Sequence, residues 1–214
     1  MSILEKIYDK GHGPYFAIAA SLISLITLSL SLIILSITDS KVILLTEFMS
    51  YLGDGLRFSN FLFNAGMVIS SVLFVFYYWF LSEYIYQNGV KEKGRIDSAL
   101  TFAILTCIGS FMVGIFPESY AFQLHTIGAA FTFIGGVCLT YLYGTSELKV
   151  PGFNPQVAKL SFVTTSIPFI YLIFYSLSVS LEFAPYVTIF LQWLSYFALM
   201  IWVLIQAVYI LKQN

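Results

Sequence analysis

A chain of 214 residues with 59% hydrophobic side chains, 10% charged ones and a mean hydropathy of +0.87 is not an ordinary water-soluble domain. In such domains about a quarter of the residues are charged. The formal net charge of −1 gives no nucleic-acid signal, and the length suits one membrane-embedded helical bundle with short loops.

The chain opens on polar residues that include Lys6 and Lys10, turns at GHGPY and enters an apolar, serine-rich run over 15–37. That run is too long for the apolar core of a secretory signal and is not followed by an A-x-A pattern, so it is expected to be an uncleaved first span. His12, in the turn before it, reads as a solvated residue. Further apolar runs at 58–86, 97–116, 119–143, 158–180 and 185–211 each approach or exceed the ~20 residues that cross a hydrocarbon core. The predicted fold is therefore all-α, a polytopic six-helix transmembrane bundle forming a single domain. Between the first two runs, VILLTEFMSYLG is apolar enough to predict a short interfacial or re-entrant helix at about 42–52. The remaining connections are short, so successive helices should be antiparallel neighbours. Pro168, inside the fifth run, predicts a kink, with Thr164 and Thr165 placed to satisfy the freed carbonyls. Cys107 and Cys138 lie inside apolar runs with neither a CxxC nor a zinc-ligand spacing, so no metal, redox or other cofactor chemistry is indicated.

Lysine and arginine distribution predicts orientation. One side carries Lys6, Lys10, Lys91, Lys93, Arg95, Lys149, Lys159 and Lys212; the other carries Lys41 and Arg57. This asymmetry places both termini in the cytoplasm of a cell-membrane protein. The outer side is acidic, with Asp39, Glu47, Asp54, Glu118 and Glu182. Tyr77, Tyr78, Trp79, Tyr84, Tyr86, Tyr141, Tyr143 and Tyr209 fall near one level toward the inner side and read as an interfacial aromatic belt.

The polar residues within the spans share one depth. Asn64, Ser110, His125, Tyr175 and Gln192 each lie five to seven residues from the outer end of a run, about 9 to 10 Å deep given the rise of an α-helix. His125 is followed at helical spacing by Gly128, Thr132, Gly135 and Gly136, a small-residue face suited to close packing, so the imidazole should point into the bundle. There it has Asn64, Ser110 or Gln192 as hydrogen-bonding neighbours. Just above, Pro117 ends the third helix, Ser119 is placed to cap the fourth, and Glu118 sits at the mouth near a positive helix end. Asp54 lies in the flexible turn YLGDG. These residues predict an outward-opening polar pocket between the second, third, fourth and sixth helices. Glu118 and His125 form the candidate acid–base pair, and Asp54, Asn64, Ser110, Tyr175 and Gln192 are the candidate ligand-binding groups.

The segments YLGDG, FNAGMVISSVLF and GIFPES followed by LHTIGAAFTF resemble the six-span membrane family catalogued as domain of unknown function 998. That resemblance covers 51–136 and implies that Asn64, Gly66, Gly114, Phe116, Pro117, Glu118 and His125 match the family pattern. More distantly, the FPE…H hairpin is similar to the Frag/DRAM/Sfk group, some members of which are linked to lipid-anchor remodelling. Neither likeness brings an activity with it.

Three function classes follow from these residues. The pocket recognises a lipid headgroup or small polar ligand; or the chain is a non-catalytic accessory protein for another membrane protein, its polar cluster being interhelical glue; or it is a lipid-modifying enzyme using the Glu118/His125 pair. Membrane lipids are the expected partners in the first and third.

Overall fold

The computed structural model describes residues 12–39, 46–181 and 183–213. Among them are six α-helices and no strand: α1 (Gly13–Asp39), α2 (Phe58–Gln87), α3 (Lys93–Ile115), α4 (Glu118–Glu147), α5 (Pro155–Leu181) and α6 (Pro185–Leu211). All six are long and apolar enough to cross a membrane. This is the all-α six-span bundle expected from the apolar runs.

The side chains confirm that the surrounding solvent is apolar. On α1, Ser21, Ser24 and Ser31 are buried, while Leu22, Ile26 and Ile33 are exposed. A water-soluble helix shows the reverse pattern. In hydrocarbon, exposed isoleucine costs nothing, whereas small residues inside let helix backbones approach closely.

Each helix packs against its neighbours in sequence, and α1 closes the ring on α6. Glycines set the closest approaches. At Gly109 on α3 a Cβ would lie 2.4 Å from the carbonyl oxygen of Gly128 on α4, and at Gly135 on α4 it would lie 2.3 Å from the Thr106 hydroxyl on α3. No larger residue fits this seam without moving a helix.

Two buried clusters fill the ring. One, at the end that carries Lys91, Lys93, Arg95 and Lys149, is built on Tyr77, Tyr78, Tyr143 and Trp202; the other, toward the opposite end, on Leu28, Met49, Phe63 and Trp193. The first corrects the aromatic belt. Tyr77, Tyr78 and Tyr143 are core residues, with Tyr78 stacked on Tyr143 at a centroid distance of 6.1 Å. Trp79, Tyr86 and Tyr141, on other azimuths of the same helices, are the exposed members.

The segment before α2 is not a surface-lying helix. Part of the expected 42–52 element, residues 42–45, lies outside the described residues. The described remainder folds into a 3-10 helix, Met49–Gly53, whose Met49 and Leu52 are buried in the bundle. It rests on α1, α2, α4 and α6 as a plug across that end. Irregular backbone at such a place needs partners, and they come from helix side chains. Asn60 and Asn64 on α2 donate to the carbonyls of Leu52 and Gly53 at 2.8 and 2.9 Å. On α6, Gln192 Oε1 accepts from the Met49 N–H at 2.7 Å, and the Trp193 indole donates to the Glu47 carbonyl at 3.0 Å.

α5 continues as a helix through Pro168, with the Thr165 hydroxyl donating to the Ser161 carbonyl at 2.7 Å. α4 is interrupted at Ala121 (φ −146°, ψ 50°), one turn after Pro117. α3 starts four residues before, and α4 ends four residues after, the apolar runs that mark them, because polar residues join the terminal turns.

Candidate functional site

The hairpin between α3 and α4 is assembled from both sides. Pro117, with its fixed φ, is the N-cap of α4 and carries no side-chain cap. Ser119 was expected to cap this helix with its side chain; instead its backbone N–H donates to Asp54 Oδ1 at 2.9 Å. The carboxylate from the YLGDG turn thus sits at the positive end of α4. On the inner side, His125 reaches back to the carbonyl of Phe116, the C-cap of α3, with Nδ1 at 2.8 Å. A carbonyl only accepts, so Nδ1 carries the proton and donates. One edge of the imidazole is therefore occupied in holding the hairpin closed, which leaves Nε2.

A cavity of about 140 Å³ lies against His125, bounded by α4, α5, α6 and residues 48–50 of the plug. Of the candidate residues, Glu118, His125, Tyr175 and Gln192 line it. The arrangement corrects the expected neighbours: α5 replaces α2 and α3 as a wall. Asn64 lines a separate groove between α2 and α3, together with Gly114 and Pro117. Ser110 shares a weak contact of 3.4 Å with the Thr132 hydroxyl and faces another cavity between α1, α2, α3 and α6. Asn64 and Ser110 stand at the depth of His125 but on different sides of the ring, and Asp54 touches the site only through the start of α4.

The cavity lining combines one carboxylate with a run of aromatic rings. Phe48 meets Tyr175 edge-on at 6.5 Å, Tyr175 lies 5.8 Å from Tyr171, and Tyr171 lies 4.4 Å from Phe133. Phe122 completes the wall. Glu118 acts electrostatically on both Tyr171 and Tyr175, which places its charge on this side of the helix. Among the described residues no lysine or arginine lines the cavity. Gln192 turns its oxygen toward the plug, so the amide nitrogen is the end left beside Tyr171. Glu118 and His125 line the same space without a hydrogen bond between them among the described residues.

Tyr171 and Phe133 escape sequence reasoning because an aromatic residue in a span reads as lipid-facing until its azimuth is known, and Phe48 because it lies in the connection between α1 and α2. Glu147 escapes it too. It belongs to the last turn of α4, is wholly buried, and follows Thr140 and Tyr143 at helical spacing; that spacing was the available signal. Among the described residues no group of three or more histidine, cysteine, aspartate or glutamate side chains is placed to hold a metal, and both cysteines are free.

The residues that carry the family resemblance interlock. Gly114 packs so closely on α2 that a Cβ would sit 2.9 Å from the Asn64 carbonyl oxygen, Asn64 holds Gly53, and Phe116 is tied to His125. Such contacts account for asparagine, glycine and Nδ1 of histidine by packing alone, and leave Glu118 and Nε2 for other work. No protein-family model, curated protein or solved structure matches this chain.

Proposed function

We propose that this protein binds, in the cavity between α4, α5 and α6, the ammonium-bearing headgroup of a lipid or a small organic cation of the same chemistry. The observation that carries the reading is the lining itself: Glu118 beside a continuous wall of Phe48, Tyr175, Tyr171 and Phe133, with no cationic side chain among the described residues. Aromatic faces attract cations through their quadrupole, most strongly where water is excluded, and a carboxylate adds direct charge pairing. His125 Nε2 is left to orient the polar atoms that accompany the ammonium group. The lysine and arginine asymmetry supports an orientation in which this end faces away from the cytoplasm.

The test is lipid binding to the purified protein in nanodiscs, with phosphatidylcholine and phosphatidylethanolamine compared against phosphatidylglycerol and against free choline. Glu118→Gln removes a charge-assisted contact of about 1.5–3 kcal/mol, which corresponds to about a tenfold to hundredfold weaker affinity for the ammonium lipids. Equal binding of the anionic lipid, or an unchanged affinity in Glu118→Gln, refutes the reading.

The accessory-protein reading is favoured by one specific observation: Nδ1 of His125 and the amide of Asn64 are engaged in holding backbone. It predicts that loss of these groups lowers stability with no change in ligand binding.

A further inference from the structure

Away from the headgroup cavity, at the end of the bundle that carries Lys149, α4, α5 and α6 meet around a second polar cluster. Glu147, the last residue of α4, is wholly buried, as are Ser161 on α5 and Trp202 and Gln206 on α6. Gln206 Nε2 donates to Glu147 Oε2 at 2.9 Å, and the Ser161 hydroxyl donates to the same oxygen at 3.2 Å. The Trp202 indole in turn donates to Ser161 Oγ at 2.8 Å. The donors thus converge on one carboxyl oxygen. The other, Glu147 Oε1, has no partner, and neither does Gln206 Oε1, the second atom of the amide that binds the first oxygen.

Two buried acceptors without a donor, one on each of two planar groups already joined by a hydrogen bond, are one proton short. A carboxylic acid and an amide make two parallel hydrogen bonds, N–H to the acid carbonyl and O–H to the amide oxygen. Only the first is drawn by the heavy atoms here. An ionised Glu147 would leave a buried charge with one oxygen that accepts no hydrogen bond, an arrangement that is costly in a dry interior. The titratable groups in electrostatic reach are the Tyr77 hydroxyl on α2, which is buried and has no hydrogen-bond partner, and the Tyr143 hydroxyl on α4 itself; among the described residues α5 and α6 present Ser161, Trp202 and Gln206. Tyr143 is already engaged with Ser82 and with the Tyr78 carbonyl. The ion pairs among the described residues, Arg95 and Lys149 with Glu92, lie at the exposed surface and leave Glu147 alone.

We propose that Glu147 is a proton-binding site: one proton sits on Oε1, shared with Gln206 Oε1, and closes an acid–amide pair that joins α4 to α6 and, through Ser161, to α5. The ligand is a proton taken from water. Removing it puts a charge into the joint of three helices, so the packing of this end of the bundle is linked to the occupancy of the site. This site is independent of the headgroup cavity and stands or falls separately from it.

Infrared spectroscopy of the full chain in nanodiscs at pH 7 tests the proposal. Expected is a protonated-carboxyl C=O band that shifts down in D2O, disappears in Glu147→Gln while the carboxylate bands keep their intensity, and moves to higher wavenumber in Gln206→Leu as its hydrogen bond is lost. If Glu147→Gln instead removes carboxylate intensity, Glu147 is ionised and the proposal is overturned. Should neither variant assemble, the unmutated protein decides: a protonated-carboxyl band at pH 7 that shifts in D2O supports the site, and absence of any such band overturns it.

Discussion

His125 offers the sharpest test of how structure and function divide at the site, because its two ring nitrogens face different tasks. Nδ1 donates to the Phe116 carbonyl at 2.8 Å, and the residue is 6% exposed. Asparagine places an amide N–H near the position of Nδ1 and nothing at Nε2. His125→Asn should therefore keep the hairpin bond and vacate the cavity edge, whereas His125→Leu loses both. Leaving a carbonyl without its donor costs about 1–3 kcal/mol. At about 2–4 °C per kcal/mol for a chain of this size, His125→Leu should melt several degrees lower, about 2–12 °C. His125→Asn should melt closer to the unmutated protein, with the remaining deficit due to lost ring packing. Both variants should lose headgroup affinity. The assay is thermal unfolding in nanodiscs, followed by tryptophan fluorescence, alongside lipid binding on the same samples. If His125→Asn melts as low as His125→Leu, the Nδ1 bond is not what stabilises the hairpin. If both melt normally, the bond contributes nothing and the reasoning fails.

Other consequences can be measured in the same way. Asp54→Ala removes the acceptor of the Ser119 N–H at the start of α4, and loss of such a cap costs about 0.5–2 kcal/mol; Asp54→Asn, which keeps an acceptor, should recover part of that in thermal melts. Gly109→Ala puts a Cβ 2.4 Å from the Gly128 carbonyl oxygen, so α3 and α4 must part by about 1 Å, at about 1–3 kcal/mol for overpacking; a normal melting temperature would show that the seam yields freely. Glu92, at the exposed surface, has its carboxyl held below the usual range, first by the hydrogen bond from Lys149 and then by Arg95. A lowered folded-state value means that the contribution is present above the ordinary carboxylate range and is lost as pH falls through the lowered value. The melting difference between the unmutated protein and Glu92→Gln should therefore be present at neutral pH and vanish in acid.

Individual residues show where reading from sequence stops. Gln192 and Asn64 are recognisable in the sequence as polar residues within spans. Their partners were not recognisable: Gln192 holds Met49, and Asn64 holds Gly53, in a plug whose path no periodicity announces. Tyr77 and Trp79 stand two positions apart, so they share a depth yet face opposite ways, one into the core and one outward. Glu147 lies four residues beyond the apolar run that marks α4, yet the helix carries it into the interior.

What the sequence determined by itself was everything that depends on length along a helix. Rise per residue and the thickness of a hydrocarbon core suffice to count six spans, to place Pro117 at the break between α3 and α4, and to put His125, Tyr175 and Gln192 in one layer. What only the tertiary structure decided was rotation and neighbourhood: that the ring closes α6 on α1, that α5 rather than α2 walls the cavity, and that Glu147 meets Gln206. The reason is that a span in hydrocarbon is apolar on nearly every face. Its hydrophobic pattern therefore fixes depth but hardly constrains azimuth, which is set by close packing at residues such as Gly109 and Gly135 and by the few polar groups that must find partners.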